Sequence, residues 1–493
     1  MRLADLLGGL DVLSTEGDPA AVEVLAVVHD SRSVAPGALF CCVPGVTVDG
    51  HERAQDAVAA GAVALLCQRI LAVDVPQVVV ADVRAAMGVV AAALHGHPSH
   101  QLQVVGITGT NGKTTTTHLL AAILEAAGRP TGTIGNLNAA PGGPPNTPEG
   151  PELQARLAGL RDEGMTAVVM EVSSIALSRG RINGTRFRLA AFTNLSPDHL
   201  DHHGTMEAYF AAKARLFEPD LSEAAVVNID DPKGRLLLDA AVIPTEPYSL
   251  ADASDVVTDL SGSSFTWRGQ RLRISLPGTF NISNALAAAT AAAALGVDPD
   301  TIARGLAGAG QVAGRFEVVA PGSPVEVVVD YAHTPDGLQH LLTSVRALAG
   351  PGRVLVVFGC GGDRDRTKRP VMGQIAARLA DHVAITSDNP RHEDPLAIIG
   401  EVAAGATAAG SGAEVVREPD RRQAIAWALR RASPGDVVVI AGKGHEATQL
   451  VGALELPFDD RMVAAELLES LGAAGTAGGI AAPPPPARKD GAA

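Results

Sequence analysis

An α/β protein of three domains is what this sequence predicts, and three observations predict it. Short apolar runs alternate with helical stretches, the pattern of parallel sheets covered by helices. The alternation begins at Gln101 and starts afresh near Val318, behind a differently patterned first block. The chain, at 493 residues, is also too long for a single core.

The first block covers residues 1–98 and closes at "HGHPSHQ", which reads as a linker. It carries apolar runs such as residues 24–28 and "VPQVVVAD", separated by turn-rich segments. The second block, 99–317, opens with "LQVVGIT", a buried-strand pattern. A glycine turn follows, then a helical run over 114–127 that Gly128 can end. The runs "TAVVMEVSS", "LAAFTNLS" and "AAVVNID" supply further strands. The third block, 318–472, sets strands "VEVVVDYAH", "RVLVVFG", "HVAITSD" and "DVVVIAG" between helical stretches such as "GLQHLLTSVRALAG" and "RRQAIAWALRRA". This is a Rossmann-like rhythm, but no GxGxxG turn follows its first strand, so a dinucleotide has little support. Residues 473–493 are biased to Pro, Gly and Ala and read as a disordered tail.

Composition narrows the function. Hydrophobic residues at 46% and charged ones at 19% describe a globular chain, and aromatics at 3% leave the cores to aliphatic side chains. A formal charge of -15 argues against a nucleic-acid partner. Four cysteines without CxxC spacing make neither a disulfide framework nor a zinc site. The N-terminus has no sustained apolar segment, and no window approaches the 18 or so apolar residues of a membrane span. A cytoplasmic protein, with no membrane partner, is expected.

Chemistry concentrates first in "VVGITGTNGKTTTTHLL". A glycine turn between an apolar strand and a helix presents backbone amides to phosphate, as in GxxxxGK[ST] loops. The spacing is a variant, since Ile107 stands where that pattern has its first glycine. Gly109, Thr110, Asn111 and Gly112 form the turn, Lys113 can neutralise phosphate charge, and Thr114 and Thr115 can supply a hydroxyl to Mg²⁺. The central sheet is therefore predicted to be of P-loop ATPase type. Glu171 closes the run "VVMEVSS", and "FTNLSPDHLDHHG" gathers Asp198, His199, Asp201, His202 and His203. Beside a phosphate loop, such residues read as Mg²⁺ ligands.

In order along the chain, "GTNGKTT", "MEVSS", "TNLSPDHLDHHGTMEAYFAAKARLF", "GTFNISNALAA", "VDYAHTPDGL" and "FGCGGDRDRTKRP" resemble the Mur ligase family, over nearly the whole chain except the tail. Those enzymes build the peptide stem of bacterial cell-wall precursors. The resemblance implies the member that adds the third residue, with UDP-MurNAc-L-Ala-D-Glu as acceptor and meso-diaminopimelate as donor, acting as a monomer. It also implies an acyl-phosphate intermediate, and a Lys213 carbamylated by CO₂ that joins Thr114, Glu171 and His199 around Mg²⁺. On composition alone Lys213 would be a surface helix lysine.

The same resemblance implies roles for other positions. Ser31, Val46, Thr47 and Val48 fall where the family holds the UDP part. Asn146, Thr147, Ser173, Arg179 and Arg181 fall along the acceptor. Asn281, Asn284, Arg315 and Asp330 fall near the adenosine, with ATP between the second and third blocks and domain closure in the cycle. Arg364, Asp388, Asn389, Pro390, Arg391, Gly442 and Glu446 fall around the incoming amino acid. Arg391, in "DNPR", could grip a distal carboxylate with two parallel hydrogen bonds, and Glu446 could face an ammonium. Two departures stand out: Ile175 replaces the histidine of EVSSH, and Arg179 replaces a glutamine. The Ile175 change implies altered packing rather than lost activity. An L-lysine-adding ligase and a folylpolyglutamate synthase remain as alternatives.

Overall fold

A computed structural model describes residues 1–45, 48–136 and 146–477. Val46, Thr47 and the tail beyond 477 lie outside the described residues. The chain divides into two compact units, Met1–Ala313 and Gly314–Ala493, so the first and second blocks share one unit and Arg315 belongs to the other.

The first unit begins with a five-stranded sheet: β1 (Val12–Glu16), β2 (Ala26–Val28), β3 (Ala38–Cys41), β4 (Ala62–Cys67) and β5 (Gln77–Val80). Their order is β1-β5-β4-β3-β2, with only β1 antiparallel to its neighbour. The six strands that follow are β6 (Gln103–Thr108), β7 (Thr131–Ile134), β8 (Ala167–Glu171), β9 (Leu189–Phe192), β10 (Ala225–Asn228) and β11 (Thr245–Tyr248). They form one wholly parallel sheet ordered β11-β10-β9-β6-β8-β7.

Alternation along these strands sets what covers each face. In β6, Val105 and Ile107 join a core with Leu119, Leu120 and Ile123 of the helix Lys113–Ala126 and with Ile282 and Leu286 of the helix Thr279–Ala294. Val104, just before them, turns to Leu153 and Leu157 of the helix Gly150–Asp162. In β8, Ala167 and Val169 face the first core and Val168 and Met170 the second. Both faces are dry, which is why these strands read as unbroken apolar runs. An antiparallel meander, β12 (Ser254–Asp259), β13 (Gly262–Trp267) and β14 (Gln270–Ile274), adds Phe265, Trp267 and Leu272 to the first core.

The second unit is built on β15 (Glu317–Val319), β16 (Glu326–Asp330), β17 (Val354–Phe358), β18 (His382–Ile385), β19 (Glu414–Arg417) and β20 (Val437–Ala441). The order is β15-β16-β20-β17-β18-β19, with β15 antiparallel and the rest parallel, a Rossmann-like sheet. A hairpin of β21 (Thr448–Val451) and β22 (Leu454–Pro457) follows. The last helix, Asp460–Ala477, carries helical backbone into residues 473–477, which the composition had assigned to a tail. Three of those five residues are alanine, the strongest helix former, and the tail's prolines occur only from Pro483 onward.

Candidate active site

The phosphate loop sits where β6 ends, at the carboxyl edge of the parallel sheet, the edge that binds ligands in such folds. Gly109 (φ +148°) and Gly112 (φ +87°) hold backbone that side chains resist. A Cβ on Gly109 would lie 1.9 Å from Thr193 Oγ1, and one on Gly112 would lie 2.3 Å from Asn284 Oδ1. Thr193 and Asn194, at the end of β9, brace the turn: Thr193 Oγ1 donates to Asn111 O (2.6 Å), and Asn111 N donates to Asn194 Oδ1 (2.9 Å). Thr110 Oγ1 contacts Tyr209 Oη and Ser196 O, each at 3.1 Å. Asn284 donates to Asn281 Oδ1 at 3.2 Å, so the side chain beside Gly112 is held by a second asparagine.

Two lysines meet one carbonyl here. Lys113 Nζ donates to Gly109 O (2.9 Å) and Thr110 O (2.7 Å), and Lys213 Nζ donates to Gly109 O at 2.8 Å. Lys213 is only 1% exposed, with its Nζ 4.6 Å from the Tyr209 ring centroid. Burial first, and the Lys113 charge second, press its pKa well below the usual lysine value. A buried, charge-crowded amine has replaced the surface lysine that composition suggested.

Glu171 ends β8 almost fully buried and accepts from Thr114 Oγ1 (3.0 Å) and Asn136 N (2.8 Å). Its carbonyl accepts from Thr147 Oγ1 (2.9 Å), and Ser173 N donates back to that hydroxyl (3.1 Å). Thr115 is buried on the helix that starts at Lys113, and Asn146 is half-buried beside Thr147. Arg181 reaches the same segment through Thr147 O (3.1 Å), and with Arg84 it grips Glu149 at 2.8 Å each. Arg179 ends the helix Ser174–Ser178, with its N–H on Ile175 O (3.0 Å).

His199 adopts φ +53° at the start of the helix Leu200–His203, and desolvation lowers its pKa against the pull of Asp198. Ile175 is half-buried, and imidazoles from that helix bond its neighbours: His203 Nε2 meets Ser174 Oγ (2.9 Å) and His202 Nε2 meets Ser178 Oγ (3.1 Å). Desolvation holds His203 down to about 4, which keeps that ring neutral near pH 7.

Among the described residues no group of three His, Cys, Asp or Glu side chains is gathered for a metal. The hydroxyl of Thr114 against the Glu171 carboxylate nonetheless suits Mg²⁺, which keeps much of its shell as water and phosphate oxygen. In the first block, Ser31 heads the turn Ser31–Ser33 and Val48 is 44% exposed.

The second unit holds its own cluster. Asp388 and Asn389 are buried past β18, and a Cβ on Gly442 (φ +111°) would lie 2.7 Å from Asp388 Oδ2. Pro390 follows, and Arg391, at φ +52°, donates through Nη1 to Gly362 O at 2.8 Å. Burial and the neighbouring Arg364 lower its pKa. Arg364 itself is exposed and flanks Gly361 together with Arg391. Asn389 Nδ2 donates to Glu446 Oε2 at 2.8 Å. At the same carboxyl edge of the sheet, where Gly442 N donates to Asp330 O at 3.1 Å, the Asp330 carboxylate accepts from Phe316 N and Ala332 N at 2.7 Å each, and the Arg315 guanidinium lies 4.4 Å from the Tyr331 ring centroid. Reading the sequence missed Thr193, Asn194, Ser196, Tyr209, Glu149 and the buried Lys443. Contacts distant in sequence reveal them: Asn194 meets Asn111 across 83 residues, and Lys443 meets Asn389 across 54.

Fold and loop define an α/β protein of the phosphate-loop class. Three family models match the chain: "Mur ligase family, catalytic domain" over 23–99, "Mur ligase middle domain" over 107–292 and "Mur ligase, glutamate ligase domain" over 314–444. A protein of Geobacillus thermodenitrificans named UDP-N-acetylmuramoyl-L-alanyl-D-glutamate--2,6-diaminopimelate ligase is 46% identical over 463 residues, 90% of this chain and 94% of that one. A Streptomyces avermitilis protein of the same name is 44% identical, over 95% and 96% of the two chains. A solved structure of a ligase so named superposes with a TM-score of 0.67 at 31% identity, covering 96% of this chain and 99% of the other. The chain belongs to the Mur ligase family.

Proposed function

We propose that this protein is the ATP-dependent ligase that joins meso-diaminopimelate to the D-glutamate of UDP-MurNAc-L-Ala-D-Glu. The observation that carries the reading is the 46% identity to a protein named for that reaction, spanning 94% of its length. The phosphate loop and the arginine-bearing cluster supply chemistry that fits it.

A carboxylate is a poor electrophile at neutral pH. Transfer of the γ-phosphoryl group to the acceptor carboxylate makes an acyl phosphate. The amine of diaminopimelate attacks its carbonyl carbon, the new C–N bond forms, the amine loses a proton and inorganic phosphate leaves. Catalysis is mostly positioning and charge compensation. Loop amides and Lys113 would hold the phosphates, with Thr114, Glu171 and His199 as candidate Mg²⁺ ligands. Bound Mg²⁺ would neutralise charge on the transferring phosphate oxygens.

Lys213 is built for carbamylation. The neutral amine is the form that attacks CO₂, and burial beside Lys113 favours that form. The product carbamate is anionic, so two like charges on Gly109 O become an attractive pair.

For the amino acid, the paired guanidiniums of Arg391 and Arg364 suit a carboxylate that lysine lacks. A site built around that carboxylate rejects lysine by leaving an arginine unpaired, a penalty of several kcal/mol on general grounds. Phosphate release from ATP by the purified protein, with acceptor present and either meso-diaminopimelate or L-lysine, tests the reading. Release that needs the acceptor and prefers diaminopimelate supports it. Equal rates remove the role given to Arg391, and acceptor-independent release removes the ligase.

A further inference from the structure

Lys443, in "AGKGHE", has a setting unusual for a lysine. Its side chain is 0% exposed. Lysines are almost never buried to that degree without dedicated partners. Here three acceptors surround the ammonium: Thr448 O at 2.5 Å, Glu446 Oε2 at 3.1 Å and Asn389 Oδ1 at 3.3 Å. An ammonium has three protons, so the set is matched one for one.

The two side-chain partners are locked by the same arrangement. Asn389 Oδ1 also accepts from Leu450 N at 2.9 Å, while its Nδ2 donates to Glu446 Oε2 at 2.8 Å. The amide therefore has one allowed orientation. Asn389 and Lys443 both donate to Oε2 of Glu446, on a side chain that stays 33% exposed. One carboxylate oxygen is pinned inward by a cation and an amide while the group itself still meets solvent. Arg391 stands two residues beyond Asn389, with its N–H on Leu450 O at 3.0 Å, so the hairpin strand that fixes Asn389 fixes Arg391 as well.

We infer that Lys443 is a positioning residue for amino-acid selection. Its buried ammonium holds Asn389 and Glu446 in the orientation in which the Glu446 carboxylate receives an ammonium group of the incoming amino acid, at a fixed distance from Arg391. The chemical class selected is an amino acid whose far end carries both an amine and a carboxylate. The inference rests on the proposed reading of this cluster as the donor site. It goes beyond that reading by making selection depend on a residue that the ligand does not touch.

The experiment is steady-state kinetics of the full-length protein, each substrate varied in turn, on wild type, Lys443→Met and Glu446→Gln. Methionine keeps the length and apolar body of the side chain and removes the charge. The expected result is a rise of about 10- to 100-fold in KM for meso-diaminopimelate in either variant, the range for losing charge-assisted hydrogen bonds. KM for ATP and for the acceptor stays within twofold. The double variant is no worse than the poorer single one, because both act through the same carboxylate. A Lys443→Met protein that melts as wild type does and keeps its KM for diaminopimelate overturns the inference. So does a fall in kcat alone. Should Lys443→Met not fold, Glu446→Gln, at a partly exposed position, decides: an unchanged KM for diaminopimelate overturns the inference equally. Wild type that shows no diaminopimelate-dependent phosphate release refutes the underlying reading instead, before any variant is compared.

Discussion

Replacing Gly112 with alanine tests whether the turn after β6 is a phosphate cradle held to tolerance. Gly112 sits at φ +87° and ψ -15°, directly ahead of the helix that begins at Lys113. An alanine in left-handed backbone costs about 1–2 kcal/mol. Its Cβ would also fall 2.3 Å from Asn284 Oδ1, far inside contact distance, so Asn284 must move. Asn284 is buried and donates to Asn281 Oδ1, and losing that bond costs about 1 kcal/mol. The sum, about 2–3 kcal/mol, corresponds to roughly 30- to 150-fold in affinity at tenfold per about 1.4 kcal/mol. Titration calorimetry of ADP with Mg²⁺ reads this loss directly. In an Asn284→Ala background the same substitution keeps only the backbone part, so the cycle should show a coupling of about 1 kcal/mol. Gly112→Ala binding ADP within twofold of wild type would refute the reasoning, and an absent coupling would refute the role of Asn284.

Other perturbations reach other parts of the account. Thr114→Val removes the hydroxyl that donates to Glu171, and kcat/KM is expected to fall about 10- to 100-fold with a raised Mg²⁺ requirement, checked by phosphate release against Mg²⁺ concentration. Arg421 and Asp460 are both 0% exposed and joined by two 2.7 Å bonds, so Arg421→Met should cost about 3–5 kcal/mol, read from denaturant midpoints. Because Arg421 also donates to Ser387 O and Ala441 O, the diaminopimelate KM should suffer with it. Burial, then the charges of Arg315 and Arg461, hold His445 down to about 4. Between its unfolded value near 6.5 and about 4 the unfolded chain binds the extra proton, so this group's share of stability is lost as pH falls through that window. His445→Asn should therefore flatten the melting temperature against pH over that range.

The sheets were legible in the sequence because both faces are buried, which turns each parallel strand into an apolar run such as "QVVGIT" or "VVVIA". The meander over 254–274 escaped notice. Its strands are polar and alternating, interrupted by Ser-Gly and Arg-Gly turns, and its apolar content is a few positions such as Phe265 and Leu272. The phosphate loop announced itself through local spacing, and the loop's own residues need no distant partner to be recognised. Lys213 and Lys443 show the opposite case. A lysine's burial is decided by what folds over it, and Gly109 lies 104 residues from Lys213 while Asn389 lies 54 from Lys443. The Arg421–Asp460 pair, 39 residues apart, was invisible for the same reason.

The central claim is the identity of the bond made. The most direct measurement incubates the purified protein with ATP, Mg²⁺ and UDP-MurNAc-L-Ala-D-Glu, with meso-diaminopimelate and L-lysine together at equal concentration, and weighs the nucleotide-linked product by mass spectrometry. The account predicts a single product carrying diaminopimelate through a new amide, formed with one phosphate released per bond. A lysine-bearing product in comparable amount would contradict the selection argued from Arg391, and recovery of the acceptor unchanged would contradict the ligase itself.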